Sequence, residues 1–107
     1  MSNESLPLKQ ILSQLGIAMK AGKLVSGEFQ VEKAVKERKA YLVVIAEDAS
    51  DNTKKHFSDM CQFRDIPIRF IGNKEQIGRT IGKTFRASIA VTEEGFAKSI
   101  LRKADAQ

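Results

Sequence analysis

A nearly unbroken apolar run from Tyr41 to Ala46 is the feature that most restricts the fold of this chain. An apolar run of this length, without alternating polar residues, is typical of a strand that is covered on both faces. Such a strand belongs in the middle of a sheet, with helices packed on either side. The rest of the chain must therefore supply helices for two layers.

Helical patterns occur on both sides of this strand. Apolar residues recur at spacings of three and four from Leu8 to Met19, and a second amphipathic helix is expected from Gly27 to about Lys39. Three later helices are predicted from residues suited to an N-cap, with Gln76 completing a capping box for the second of them. The three predicted caps are Ser50, Asn73 and Thr92.

Short extended segments at 23–26, 68–71 and 87–91 lie between these helices. Strands thus alternate with helices, which predicts an α/β fold with a sheet of about four strands between two helical layers. A chain of 107 residues with 42% hydrophobic content can bury one core. We therefore expect a single domain over residues 1–107.

Composition limits the compartment and the partners. Lysine and arginine number 18 against 13 acidic residues, a net charge of +5 that suits a polyanionic partner. The first five residues carry no basic side chain, and no segment approaches the roughly 20 apolar residues of a membrane-spanning helix. We expect neither signal peptide nor membrane span, and a soluble, cytoplasmic protein.

The residues that could carry catalysis are isolated. His56, the only histidine, and Cys61, the only cysteine, both fall within the helix predicted after Ser50, where Cys61 is expected to be a buried, inert thiol. No cluster has metal-ligand spacing, and no nucleotide-binding glycine pattern occurs. The sequence therefore predicts no enzyme activity, no metal and no cofactor.

Two adjacent carboxylates, Glu47 and Asp48, follow the central strand. Neighbouring side chains of a strand point to opposite faces, so they are poorly placed to act as one dyad. We expect Asp48 to accept hydrogen bonds from loop amides near Ser50. Glu47 remains a candidate to accept a hydrogen bond from the edge of a nucleobase.

The second helix has two distinct faces. At about 100° per residue, Val31, Ala34 and Val35 share one side, whereas the other side carries an aromatic and two cationic residues. These are Phe29, Lys33 and Lys36. A phenylalanine on that side is either a misplaced core residue or part of a contact surface.

Basic residues concentrate in two segments. Residues 20–39 hold six basic and three acidic side chains, and residues 79–86 hold three basic and no acidic ones. Both segments lie at strand ends in the predicted fold, so they could together offer helix N–H groups and cations to phosphates and aromatic rings to unpaired bases. The predicted contact residues are Gly27, Glu28, Phe29, Gln30, Lys33, Lys36, Glu47, Arg79, Lys83, Thr84, Phe85 and Arg86.

Four short motifs follow one another along the chain. They are Ser26-Gly27 with Lys33, then 42–49, Ile66-Pro67, and Ile77-Gly78-Arg79 with Gly82 and the loop to Ala87. In their order and spacing they resemble the kink-turn RNA-binding ribosomal proteins of the archaeal large-subunit seven-Ae type, and among them the small bacterial YlxQ-like members. The resemblance extends from about Leu12 to Phe96.

This resemblance implies an α/β/α sandwich with a mixed sheet and a non-catalytic protein that binds structured RNA. In the RNA elements bound by the family, a bulge flanked by tandem sheared G·A pairs bends the backbone sharply. The family motif G-x-N-E-x-x-K maps onto Gly27 and Lys33 unchanged, with Phe29 at the asparagine and Gln30 at the glutamate position. Gln30 still accepts through its carbonyl oxygen, whereas Phe29 can only stack or shield.

The resemblance also implies a second contact region in the loop from Lys83 to Ala87, where Lys83 and Arg86 favour phosphate contacts. The implied partner is a ribosomal or other translation-associated RNA, with ribosomal or translation-factor proteins as further partners. A protein-interaction module is the alternative, because exposed Phe29 and Phe85 would anchor a protein equally well. The chain is too short to include the catalytic domain of the ribose methyltransferases that carry a similar RNA-binding portion.

Overall fold

The computed structural model describes residues 5–106, so residues 1–4, in the segment predicted not to be a signal peptide, lie outside the described part. Within residues 5–106, five helices and four strands alternate, as the sequence predicts. The helices are α1 (Leu6–Lys20), α2 (Glu28–Lys36), α3 (Asp51–Phe63), α4 (Lys74–Thr80) and α5 (Glu94–Asp105). The strands are β1 (Leu24–Ser26), β2 (Leu42–Ile45), β3 (Ile68–Phe70) and β4 (Ser88–Val91).

The four strands form one mixed sheet in the order β1-β4-β2-β3. β4 is antiparallel to both β1 and β2, and β3 is parallel to β2. β1, β2 and β3 therefore all end at the same edge of the sheet, which we call the upper edge. The predicted α/β fold with a mixed four-stranded sheet is confirmed.

The central strand β2 is buried on both faces, as its apolar run predicts, and all four of its residues are fully covered. Leu42 and Val44 face the layer of α1, α4 and α5, whereas Val43 and Ile45 face the layer of α2 and α3. Its neighbour β4 is likewise fully buried. The core therefore lies in two halves, one on each side of the sheet, and the fold is a three-layer α/β/α sandwich.

The predicted cap of the last helix is wrong by one residue. The N-cap of α5 is Glu93, whose carboxylate accepts a hydrogen bond from the backbone N–H of Phe96 at 2.8 Å. Backbone hydrogen bonds from Phe96 and Gly95 lower the pKa of this carboxyl below its usual range. Thr92 instead donates its N–H to the carbonyl of Lys23 at 2.9 Å, which extends the pairing of β4 with β1.

The second helix ends at Lys36, three residues before the predicted end. The Lys39 N–H reaches back to the Ala34 carbonyl at 2.8 Å, and the Arg38 N–H to that of Val35 at 3.1 Å. This closure requires a left-handed residue, a place that glycine usually takes. Arg38 takes it here, with φ of 57°. The chain therefore turns sharply between α2 and β2.

The carboxylate of Asp48 has a structural role, but the predicted partner near Ser50 is wrong. Asp48 Oδ1 accepts the backbone N–H of Lys74, the first residue of α4, at 2.9 Å. The parallel strands β2 and β3 end side by side, which brings the start of α4 next to the end of β2. Ser50 caps its own helix by accepting the Thr53 N–H at 3.1 Å.

None of the helices in residues 5–106 has the length and apolar content needed to cross a membrane.

Candidate nucleic-acid interface

At the upper edge of the sheet, the first-turn backbone N–H groups of α2 have no hydrogen-bond partner among residues 5–106. The N-cap of α2 is Gly27, which has no side chain to cap the first turn and adopts φ of 92°. That conformation is one that glycine adopts readily and other residues rarely do. The Gly27 N–H bonds to the Ser88 carbonyl at 3.0 Å, which fixes the start of the helix against β4. The first-turn N–H groups, at the positive end of the helix dipole, therefore face outward.

The two faces of α2 are divided as the periodicity predicts. Val31, Ala34 and Val35 are buried against the sheet and α3. Phe29 is 73% exposed, so it is a surface residue and not part of the core. Gln30, Lys33 and Lys36 are exposed beside it, and Lys36 is 3.9 Å from Glu32.

The loop 83–86 is held against α4. Its Lys83 N–H donates to the Gly78 carbonyl at 2.8 Å, and its Arg86 N–H donates to that of Lys74 at 3.1 Å. Gly78 permits this contact, because a Cβ at that position would lie 1.8 Å from the carbonyl oxygen of Thr84. Lys83, Thr84 and Phe85 are exposed, Phe85 by 62%, whereas Arg86 is half-buried. A second exposed phenylalanine is thus presented at the upper edge.

The side chain of Arg86 joins this loop to the segment before α2. Its Nε donates to Ser26 Oγ at 3.3 Å, and its Nη1 donates to the Phe85 carbonyl at 2.8 Å. A cavity of about 340 Å³ opens where the two segments meet. It is lined by Ser26, Gly27, Glu28, Thr53, Phe85, Arg86, Ala87 and Ser88.

Thr53 and Ser26 were not among the predicted site residues. Ser26 lies at the end of β1, and Thr53 lies in the first turn of α3, which follows β2. Because β1 and β2 end at the same edge, the helices that follow them begin there side by side. The Ser50 cap three residues before Thr53 is the sequence signal that could have located it at this edge.

Four of the twelve predicted site residues line this cavity, namely Gly27, Glu28, Phe85 and Arg86. Two others have different surroundings. Glu47 lines a separate cavity of about 320 Å³ together with Leu8 and Phe70, on the side of α1. Arg79 forms an exposed ion pair with Glu75 on α4, with its Nη2 2.6 Å from Glu75 Oε1. The remaining six do not line it either. Phe29, Lys33 and Lys36 line a separate hollow along α2, and Gln30 lines another with Lys33. Lys83 and Thr84 are exposed on the loop 83–86.

The charges of the two segments are mixed in a way that suits a nucleic acid. Arg86 lines the cavity, while Lys83 is exposed on the same loop and Lys33 is exposed on α2; all three offer cations to phosphate oxygens. Glu28 is exposed in the first turn of α2, where the helix dipole favours a carboxylate. A carboxylate repels phosphates but accepts hydrogen bonds from the amino groups of bases. The arrangement can therefore bind a backbone through its cations and a base edge through Glu28 or Gln30.

Residues 9–101 match the ribosomal protein L7Ae/L30e/S12e/Gadd45 family. This match covers most of the chain, which therefore belongs to that family. The family resemblance stated from the sequence is thus confirmed, and so is the α/β/α fold that it implied.

Two bacterial relatives named RNA-binding protein YlxQ are similar to this chain. The protein from Bacillus subtilis (strain 168) is 41% identical over 91 residues, which cover 85% of this chain and 91% of the relative. The protein from Enterococcus faecium is 34% identical over 90 residues, which cover 84% and 86%.

Two solved structures are similar in fold. A protein of unknown function from Bacillus halodurans C superposes with a TM-score of 0.87 at 40% identity, covering 90% of this chain and 97% of that one. The 15.5kD RNA binding protein of Giardia lamblia superposes with a TM-score of 0.80 at 25% identity, covering 99% and 92%.

Proposed function

We propose that this protein is a single-domain, non-catalytic binder of structured RNA, and that its target is a kink-turn or a related bent element of ribosomal or translation-associated RNA. Two relatives and one structural neighbour carry RNA binding in their names. The family resemblance implies the same activity. The chemistry of the upper edge of the sheet fits that proposal.

The observation that carries the proposal is the meeting of two segments around one cavity. The start of α2 and the loop 83–86, which the resemblance implies as the two contact regions, both line it. The side chain of Arg86 spans them. A sharply bent RNA brings backbone and unpaired bases close together, so a compact surface with N–H groups, cations and aromatic rings is suited to it.

Each contact type has candidate residues in this arrangement. Lys33, Lys83 and Arg86 contact phosphates and supply most of the affinity. Gln30 accepts through its side-chain carbonyl at the position where the family has glutamate. Phe29 and Phe85, both largely exposed, stack on unpaired bases. Glu47 lines a cavity on the side of α1 and Arg79 is paired with Glu75 on α4, so we assign both of them peripheral contacts.

The test is binding of the pure protein to a kink-turn RNA and to a version whose tandem G·A pairs are disrupted, measured by electrophoretic mobility. Tighter binding of the intact kink-turn is expected, because only that RNA adopts the bent backbone. Equal affinity for both RNAs would leave a general RNA binder and overturn the kink-turn assignment.

A protein-interaction module is the second candidate, because the exposed Phe29 and Phe85 would anchor a protein partner as readily as a base. The same titration distinguishes it from an RNA binder. Absence of binding to either RNA, together with partner complexes from lysate that persist at high salt, would favour the protein-interaction function and contradict RNA binding.

A further inference from the structure

The strand β3 forms the free edge of the sheet on the side opposite β1. Its pairing with β2 uses the carbonyl of Pro67, at 2.9 Å, and the N–H of Ile71, at 3.0 Å. Backbone groups of alternate residues in a strand point to opposite sides, so the N–H and carbonyl groups of Ile68 and Phe70 point away from β2. The edge of β3 therefore presents four main-chain groups that no strand of this sheet pairs with.

One of these four groups is covered by a side chain. The Ile68 carbonyl accepts a hydrogen bond from Arg69 Nη1 at 2.8 Å. The N–H groups of Ile68 and Phe70 and the carbonyl of Phe70 have no hydrogen-bond partner among residues 5–106. Unpaired groups in a row along an edge strand are a template for a further strand. The open part of this edge is centred on Phe70, at the carboxyl end of β3.

The cavity of about 320 Å³ that Glu47 lines opens beside this end of β3, and we call it the β3 cavity. Phe70 and Ile71 border it. Leu8 of α1 and Ala104 of α5 add apolar walls. The cavity can therefore hold one long side chain of a segment that runs along β3.

The free charge of the β3 cavity is negative. Arg69, which also lines it, is bound to Asp105 by two hydrogen bonds, from Nε at 2.8 Å and from Nη2 at 2.9 Å. Glu47 is exposed and forms no ion pair within residues 5–106. Apolar walls beside a free carboxylate match a side chain with an aliphatic stem and a cationic end, as in lysine.

The other side of β3 is apolar. Ile68 and Phe70 pair in register with residues of β2 whose side chains face α2 and α3. Residues in register share a face of the sheet, so Ile68 and Phe70 lie on that same side. Phe70 is 42% exposed. A strand added at this edge would place alternate side chains on an apolar surface and the others on the side of the β3 cavity.

We propose that the edge of β3 binds an extended segment of a partner protein by strand addition, with a lysine of that segment in the β3 cavity against Glu47. The segment alternates apolar residues, beside Ile68 and Phe70, with polar residues on the side of its lysine. A second copy of this chain fits less well, because antiparallel pairing of two β3 strands about Arg69 would place two arginines opposite each other. The surface lies at the edge of the sheet opposite β1, the strand that leads into α2.

The probe is the synthetic peptide Val-Thr-Val-Lys-Val-Thr-Val, which has the same sequence in both directions and so allows parallel or antiparallel addition. NMR spectra of isotope-labelled protein should show shifted amide signals and slower hydrogen exchange at Ile68 and Phe70. Glu47→Gln should weaken binding about fivefold. It should leave unchanged the affinity of a peptide with glutamine in place of lysine. Glu94→Gln, a matched change of an exposed glutamate on α5, should affect neither peptide.

Two N-methylated peptides test the main-chain pairing. Each is methylated on one of the two sets of alternate residues, and only one set directs its N–H groups to β3 in an added strand. One peptide should therefore lose binding and the other retain it. Equal affinity of the two, an unaltered Phe70 amide at millimolar peptide, or full binding by Glu47→Gln would overturn the proposal. So would protection of the same amides that grows with protein concentration and needs no peptide, because a second copy would then occupy the edge.

Discussion

The Cα of Gly78 on α4 faces the backbone carbonyl of Thr84, so closely that a Cβ on Gly78 would lie 1.8 Å from that oxygen. Neither group can give way easily, because one is a buried helix position and the other is main chain. The loop 83–86 therefore depends on the absence of a side chain at residue 78.

Gly78→Ala is expected to displace this loop and to weaken RNA binding. Overpacking of this kind costs about 1–3 kcal/mol of unfolding free energy, measured by urea denaturation. Gly95→Ala is the comparison variant, because a Cβ there meets the carboxylate oxygens of Glu93, at 3.1 and 3.2 Å, and no main chain. It should disturb the cap of α5 but leave the loop 83–86 and RNA affinity unchanged. Equal RNA affinity and stability for the two variants would contradict the role given to Gly78.

Lys33→Ala is expected to weaken RNA binding and to flatten its salt dependence. Loss of one phosphate contact lowers the slope of log affinity against log salt by about one unit. Titrations of a kink-turn RNA at several salt concentrations measure this slope, with Lys98→Ala on α5 as the control. An unchanged slope for Lys33→Ala would remove this residue from the phosphate contacts.

Phe29→Ala is expected to reduce RNA affinity while leaving stability almost unchanged. Stacking of a base on an aromatic ring contributes about 1–3 kcal/mol, or roughly 5- to 150-fold in affinity. The side chain is 73% exposed, so its loss removes little buried area. Phe63→Ala, at the far end of α3 and 79% exposed, is the control for general loss of surface aromatics. Similar affinities for both variants would argue against stacking at residue 29.

Arg86 has two separable roles, which Ser26→Ala and Arg86→Ala distinguish. Ser26→Ala removes only the hydrogen bond to Arg86 Nε, whereas Arg86→Ala also removes the charge. We expect both variants to bind RNA more weakly, and Arg86→Ala alone to lower the salt slope by about one unit. If the two variants shared one slope, Arg86 would act only by holding the loop.

Cys61 is expected to be unreactive in the folded protein. It is fully buried, and burial raises the pKa of its thiol to about 11. At pH 8 about one molecule in a thousand then carries the thiolate, the reactive form. An aromatic disulfide reagent should modify the thiol only after denaturant is added. Because the unfolded thiol ionises at lower pH than the folded one, this group also lowers stability as pH rises from about 9 to 11.

Local sequence signals predicted the elements well wherever the deciding contacts are local. The capping box of Asn73 and Gln76 forms as predicted, and so does the Ser50 cap. The N-cap of the last helix was predicted wrongly because it is a glutamate, whereas N-caps are usually short polar side chains. The end of α2 was misjudged because Arg38 occupies a conformation that usually signals glycine.

The site was predictable only in part, because its geometry depends on strand order. The contact between the start of α2 and the loop 83–86 could be predicted, because both segments lie at strand ends on the same edge of the sheet. The partner of Asp48 could not, since its bond to the Lys74 N–H joins positions 26 residues apart. The part played by Gly78 also escaped prediction, because nothing local shows that a loop will pack against that helix.

The backbone of Lys74 is bonded from both sides, accepting the Arg86 N–H at its carbonyl and giving its own N–H to Asp48. The loop is thereby fastened to the end of the central strand before any ligand arrives. Under the proposed function, little of the protein has to become ordered on binding. The conformational change on binding is therefore expected mainly in the RNA. The protein then selects RNA molecules that are already bent, and conditions that populate the bend in free RNA should speed association.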